Sequence, residues 1–163
     1  MSDTAFKGLA ASALVLLLAM TWAGPDACGG VWRVCLFDAP HFPYGVDTAR
    51  AYLTALTDTA RWRYLWVVQP LDLLLPAALC LALREAFQRW AAERMAQTLS
   101  RLAVYTAGID YLENALIRVM LKDPAGLSDI VAPATSALTL IKWLMLAVLF
   151  GALARLVSGR RRA

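Results

Sequence analysis

The sequence has few of the residues from which metal centres and nucleophilic active sites are built. It contains one histidine, His41, and three cysteines. A lone histidine with no second histidine or cysteine nearby makes a poor metal site, and it cannot supply both axial ligands of a haem. His41 also lies in a loop, away from the hydroxyl groups of the predicted helices. We therefore expect no metal, no other cofactor and no hydroxyl nucleophile activated by histidine.

The cysteines leave three alternatives open. Cys28 and Cys35 lie in a loop that we expect to face an oxidising compartment, where they can form a disulfide. Two free thiols are the second alternative and a redox-active pair is the third. A membrane thiol oxidoreductase needs a C-x-x-C motif at a helix end, which the sequence lacks. Cys80 lies near the opposite end of the second predicted helix, too far away to exchange with the loop.

Charge is also scarce, since charged residues make up 17% of the chain and the net charge is +4. This small excess does not indicate a nucleic-acid partner, because eight of the arginines cluster in residues 84–101 and at the C-terminus. With Lys7, these clusters fall on one side of an even-numbered helix bundle. The positive-inside rule makes that side cytoplasmic, so both termini are expected there. Six other basic residues lie near the opposite face: Arg33, Arg50, Arg61, Arg63, Arg118 and Lys122. Residues 84–101 read as a charged, solvated helical extension that can also contact anionic headgroups.

Long hydrophobic stretches, by contrast, are abundant. Hydrophobic residues make up 60% of the chain, and the mean hydropathy is +0.56, whereas soluble domains are about half apolar. The sequence predicts an all-α fold: one polytopic transmembrane domain over residues 1–163, a four-transmembrane-helix bundle in a bacterial inner membrane. The first stretch can alternatively be a cleaved signal peptide, with Lys7 before it and Thr21-Trp22-Ala23 as the cleavage site. Each stretch approaches or exceeds the ~20 residues that span a bilayer: 6–23, 65–83, 102–121 and 130–156.

The longest connection, residues 24–62, is expected to be a periplasmic loop. Within it, Asp47-Thr48 resembles a helix N-cap, and apolar residues follow at helical spacing up to Ala60. This pattern predicts a short amphipathic helix. It lies either on the membrane surface or as a lid packed on the ends of the long helices.

The third predicted helix carries the main polar motif of the sequence. Thr106, Asp110, Glu113 and Asn114 fall within an arc of about 100° on a helix, and the remaining surface is apolar. Ionisable groups at membrane depth are costly and face protein or water rather than lipid. They therefore indicate a functional site.

Two further helices carry polar groups at comparable positions. Gln69, Asp72 and Pro76 share an arc of about 60° on the second helix, and Thr139 and Lys142 share one on the fourth. Pro76, like Pro70, has no N–H, so it leaves a backbone carbonyl four residues earlier without its usual partner. A kink that serves packing alone is the alternative explanation of these prolines.

The depths of these groups favour a single site. At ~1.5 Å per residue, the ionisable side chains lie about 10–18 Å below the outer boundary. We expect Lys142 to reach Glu113 or Asp110, since an ammonium at this depth needs a carboxylate partner. Asp72 should border the same cavity, which should open, if anywhere, toward the outer face. Ionising all three acids beside a single lysine costs free energy, because like charges lie close together. At least one of the acids should therefore keep its proton.

The three motifs, D-x3-P from Asp72, D-x2-E-N from Asp110 and T-x2-K from Thr139, resemble those of small uncharacterised bacterial four-helix integral membrane proteins. The resemblance covers most of the chain after Tyr44. It implies the same fold and location, and it brings no activity with it.

Three functions remain open from the sequence. The first is a pocket for a membrane lipid or another small amphiphilic molecule, with or without acid/base chemistry on it. The second is a proton- or cation-coupled transport element. The third is a structural subunit or assembly factor, acting as a homo-oligomer or with a membrane-complex partner. For the first function, the predicted catalytic residues are Asp110, Glu113 and Lys142, and the predicted ligand-binding residues are Gln69, Asp72, Asn114 and Thr139.

Overall fold

The computed structural model describes residues 2–27, 37 and 43–160, and within these ranges the chain is helical with no strand. A π-helical turn at Tyr64–Val68 joins the third helix directly to the fourth. The helices are α1 (Asp3–Ala27), α2 (Val46–Ala55), α3 (Asp58–Arg63), α4 (Gln69–Trp90), α5 (Glu93–Lys122) and α6 (Val131–Arg160).

The four long helices pack side by side in an antiparallel arrangement. α1 packs on α4, α4 on α5 and α5 on α6, whereas α1 and α6 hardly contact each other. Near the start of α1, the ring of Phe6 packs edge-on against Trp90 at the end of α4, with 5.7 Å between centroids. We call this end, which holds both termini of the described chain, the terminal end. The opposite end, with α2, α3 and residues 123–130, is the loop end.

Within the described residues, three segments are long and apolar enough to cross a membrane: Asp3–Ala23, Asp58–Trp90 and Val131–Gly159. They confirm the prediction of membrane helices for three of the four hydrophobic stretches. α5 is 30 residues long, as α6 is. α5 is not one of the three candidate segments, because Asp110, Glu113 and Arg118 interrupt its apolar stretch.

The prolines near the start of α4 coincide with a local change in helix geometry. In the π-helical turn before Pro70, the N–H of Gln69 donates to the carbonyl O of Tyr64, five residues earlier. Pro70 cannot donate to the carbonyl of Trp66, and the wider turn lies where that bond would be missing. α4 then continues through Pro76 as one helix. π-helical turns of this kind are often found at functional sites.

The loop end is covered by a short helical lid. Ala49 and Leu53 of α2 are fully buried and share a hydrophobic cluster with Ile117 of α5 and Ala132 of α6. The prediction of one capped amphipathic helix is wrong in two details. Gly45, and not Asp47, occupies the N-cap position of α2, and a break at residues 56–57 makes two helices instead of one. The burial of its apolar face favours the lid over a helix lying on the membrane surface.

The predicted disulfide falls on residues that the structure does not describe. Cys28, Cys35 and His41 all lie outside the described ranges. The pairing of the two cysteines therefore stays a prediction.

Candidate functional site

An ion-paired cluster joins α5 to α6 near the middle of the helices. Nζ of Lys142 lies 2.6 Å from Oε2 of Glu113 and 3.3 Å from Oδ1 of Asp110. The Glu113 residue is 0% exposed and Lys142 is 6% exposed. The expected contact between the ammonium and a carboxylate is therefore present, and Lys142 contacts both acids of the D-x2-E-N motif.

Hydrogen bonds extend this cluster from α5 to α4. Nδ2 of Asn114 donates to Oδ1 of Asp110 at 3.2 Å, and Nε2 of Gln69 donates to Oδ1 of Asn114 at 3.0 Å. Gln69 and Asn114 are buried. The polar side chains of three helices thus form one connected network, as the agreement in depth predicts.

Glu113 is enclosed on the side away from Lys142. Oγ1 of Thr139 lies 2.6 Å from Oε1 of Glu113 and 3.1 Å from the carbonyl O of Phe37. Oγ1 of Thr139 also lies 3.0 Å from the carbonyl O of Thr135, and its contact with Glu113 is the shortest of the three. Phe37 is itself 0% exposed, so it closes the network from the loop end.

α5 buries polar side chains together with apolar ones and exposes large apolar side chains. Glu113 and Asn114 are on its buried face, while Val104, Tyr105 and Leu112 are on its exposed face. A helix buries polar residues in this way where a low-dielectric interior holds their partners and the outer surface need not be wet.

A cavity of about 670 Å³ lies between α1, α4 and α6, and the polar network reaches its wall. Asp72, Asp110 and Lys142 line it, and nearly all of the remaining wall is apolar. Pro76 lines it one helical turn from Asp72. The expectation that Asp72 borders the same space as Asp110 and Lys142 is met.

The cavity extends from its polar groups toward both ends of the helices. Its wall includes Phe6 and Trp90 at the terminal end, and Met20 and Val68 nearer the loop end. The hydrophobic cluster of α2 and Phe37 packs at the loop end. The expectation of an opening at the outer face stays a prediction.

The open side of the cavity lies between α1 and α6. These helices hardly contact each other, and the side chains on the two rims are partly exposed. Leu14 and Leu17 on α1 are 56% and 48% exposed, and Trp143 and Phe150 on α6 are 41% and 46% exposed, while all four line the cavity. A molecule outside the bundle can therefore reach the cavity through this gap.

The predicted site residues divide into two groups. Asp72, Asp110 and Lys142 are in the cavity wall, where a bound molecule can touch them. The others form the layer behind that wall and hold it in position through the hydrogen bonds given above: Gln69, Glu113, Asn114 and Thr139.

Sequence reasoning missed the part played by α1, which the sequence indicates only as a featureless apolar helix. Ala10, Ala13, Leu14 and Leu17 line the cavity. Their spacing of three and four residues places them on one helical face. The small side chains of Ala10 and Ala13 on that face are the signal from which a cavity wall could have been suspected.

The chemistry of the cluster is that of acid, amide and amine. Among the described residues, no group of three histidine, cysteine, aspartate or glutamate side chains is arranged to hold a metal ion. Lys142 contacts two carboxylates at once, so a single amine faces the two acids of α5. Such an arrangement can bind a polar headgroup, and it can also give or take a proton.

No protein-family model matches this chain, and no curated protein or solved structure is similar to it. The resemblance of its motifs to small bacterial membrane proteins stays a prediction. The function must therefore be inferred from the geometry of the site.

Proposed function

We propose that this chain is a four-span protein of the bacterial inner membrane that binds a small amphiphilic or lipid-like molecule within the bilayer. Support for the fourth span comes from α5. It packs between α4 and α6, which both belong to candidate spans. It also turns Val104, Leu112 and Val119, which are all about half exposed, away from the bundle. Exposed apolar side chains opposite a buried polar face suit a helix surrounded by lipid.

The proposed orientation places both termini in the cytoplasm. The terminal end holds α4 residues from Arg84 onward, the start of α5 up to Arg101, and Arg155 near the end of α6. Short connections rich in lysine and arginine stay on the cytoplasmic side. The lid of α2 and α3 then faces the periplasm.

One observation carries the proposed ligand class. Asp72, Asp110 and Lys142 lie together in the wall of a cavity that is otherwise almost entirely apolar and that extends from them toward Trp90. Its volume of about 670 Å³ is typical of small-molecule sites. An amphiphile matches a wall with one polar part and one apolar part. Its headgroup would contact the polar residues, and its tail would lie beside α1 and α4. The gap between α1 and α6 gives such a molecule a direct path from the bilayer.

Acid/base chemistry on the bound molecule is the second part of the proposal. Asp110 is the acid or base, because it is in the cavity wall and its Oδ1 lies 3.3 Å from Nζ of Lys142. Lys142 stabilises negative charge that develops on the ligand. Glu113, fully buried behind it, holds the ammonium in position.

A proton-relay function has less support from the same geometry. The network from Gln69 through Asp110 to Thr139 crosses the bundle from helix to helix, within about two helical turns along the axis. A relay across a membrane needs groups spread along the axis instead.

The test compares the amphiphiles that co-purify with the wild-type chain and with Asp110→Asn. The full chain is extracted in detergent, and bound molecules are identified by native mass spectrometry. We expect one amphiphile class on the wild type and at least tenfold less of it on the variant, because a charge-assisted contact contributes about 1.5–3 kcal/mol.

The matched control is Asp129→Asn, since Asp129 is an exposed aspartate at the loop end, outside the cavity wall. This variant should carry the same amphiphile as the wild type. Equal occupancy in Asp110→Asn, with the fold intact by circular dichroism, would refute ligand binding at this site.

A further inference from the structure

A second pocket, of about 510 Å³, lies at the terminal end in the corner between the last turns of α4 and the first turns of α5. It shares no lining residue with the cavity described above. Its polar lining comes from two arginines, two glutamines, a serine and a glutamate: Arg84, Arg101, Gln88, Gln97, Ser100 and Glu93.

We infer that this pocket binds a phosphate group. The lining carries two guanidinium groups, Arg84 and Arg101, against one carboxylate, Glu93. The pocket is therefore positively charged. An arginine side chain presents its donors in a planar fork that matches two oxygens of a phosphate. The two glutamines supply further side-chain N–H groups.

Two buried donors at the pocket have no hydrogen-bond partner within the described part of the chain. They are Nε of Arg84 and Oγ of Ser100, and the Ser100 residue is only 8% exposed. A serine within a helix usually donates to the carbonyl four residues earlier, and Thr106 on the same helix does so at 2.8 Å. A buried donor without an acceptor costs about 1–3 kcal/mol, so an oxyanion in the pocket would remove this cost.

The start of α5 adds a third contribution. Its N-cap residue is Ala92, which makes no side-chain capping bond, and Glu93 and Ala96 from its first turn line the pocket. Free N–H groups at a helix N-terminus attract anions. Glu93 opposes this attraction, although its Oε1 lies 3.5 Å from Nε2 of Gln97, which holds it within its own helix.

The position of the pocket along the helices agrees with a phosphate at a membrane surface. The continuous segment Asp58–Trp90 has 33 residues and is therefore about 50 Å long. The hydrocarbon core is only about 30 Å thick, so the ends of this segment extend into the headgroup layers. Both a phospholipid headgroup and a soluble phosphate can supply the group that the pocket recognises.

The experiment measures the thermal midpoint of the full chain in a maltoside detergent, which contains no phosphate. Dioleoylphosphatidylglycerol, dioleoylglycerol and inorganic phosphate are titrated separately, since a ligand at free concentration c that binds only the folded state stabilises it by RT ln(1 + c/Kd) and so raises the midpoint. We expect a concentration-dependent rise with phosphatidylglycerol, from which the apparent Kd is fitted, and none with dioleoylglycerol, which has the same chains without the phosphate.

Substitution of the arginines then locates the effect. Arg101→Gln should weaken the apparent affinity for phosphatidylglycerol about tenfold, because it removes a charge-assisted contact. Arg84→Gln should have the same effect. Arg94→Gln is the matched control, because Arg94 is exposed on the same turns of α5 and does not line the pocket.

Each outcome of this experiment decides a point. A rise with inorganic phosphate that Arg101→Gln reduces in the same way assigns the pocket to soluble phosphate and still supports phosphate recognition. Equal effects of phosphatidylglycerol and dioleoylglycerol overturn the proposal, as do equal affinities of Arg101→Gln and Arg94→Gln. Arg101 is exposed, so its variant gives an answer even if Arg84→Gln does not fold.

Discussion

α5 and α1 are both long helices of this protein, yet they contribute to it in opposite ways. α5 packs against α4 and α6 and buries Glu113 and Asn114 with their partners. α1 packs mainly against α4. Only 6% of the residues in its apolar segment are buried. It supplies side chains such as Leu14 and Leu17 to the cavity wall and no ionisable group to the network.

This difference should separate the stability of the protein from the proposed binding of an amphiphile. The polar network joins side chains of α4, α5 and α6, so changes there leave a buried charge without its partner. α1 lines one side of the cavity almost entirely with apolar side chains. Changes on its cavity face should therefore alter what the cavity holds, with little effect on the folded state.

The largest effect is expected from Lys142→Met. This change leaves Glu113, which is 0% exposed, without its cation. Removing one partner of a buried ion pair costs about 3–5 kcal/mol. We expect a large fall in the thermal midpoint in detergent and in the yield of extracted protein.

The double variant Lys142→Met with Glu113→Gln checks the cause of this loss. Because it removes both charges of the pair, it should be more stable than Lys142→Met alone. Lys122→Met, at the exposed end of α5, should change the midpoint little. If the double variant were no more stable than the single one, the Lys142–Glu113 pair would not be the source of the effect.

A smaller effect on stability, with a large effect on binding, is expected from Ala10→Phe. Ala10 lines the cavity from α1 and is itself exposed, so the added ring can fill the cavity without displacing packed neighbours. The change in unfolding free energy should stay within about 0.5 kcal/mol, while co-purified amphiphile should be lost. Ala11→Phe places the same ring outside the cavity wall, and equal ligand loss in both variants would contradict the role of α1.

The smallest effect is expected from Asp3→Asn, which removes the ion pair of α1 with Arg89 at the terminal end and leaves Arg89 over the ring of Phe6. The Asp3 side chain is 81% exposed, and exposed ion pairs contribute little to stability. Arg89 also keeps its ion pair with Glu85 in this variant, because Nε of Arg89 lies 2.7 Å from Oε1 of Glu85. The midpoint and the bound amphiphile should both match the wild type. A clear fall in the midpoint or in the bound amphiphile would mean that the contact between the ends of α1 and α4 stabilises the cavity.

The sequence by itself determined the long helices and the polar partners within them. Apolar runs near membrane length specify helices, because an isolated backbone in lipid must satisfy its own hydrogen bonds. Lys142 had to find a carboxylate at its own depth, because an unpaired ammonium there is too costly. The arcs that hold Asp110 and Glu113 on α5 follow from 3.6 residues per turn alone.

Only the tertiary structure decided which side of the site is open and what closes the other. Phe37 meets Thr139 across 102 residues of chain, a contact that no local periodicity encodes. The gap between α1 and α6 exists because these two helices hardly contact each other. The second pocket depends on how α4 and α5 meet at their corner. Spacing along one helix places side chains on a face, whereas cavities arise from the distances between faces, which are set when the helices pack together.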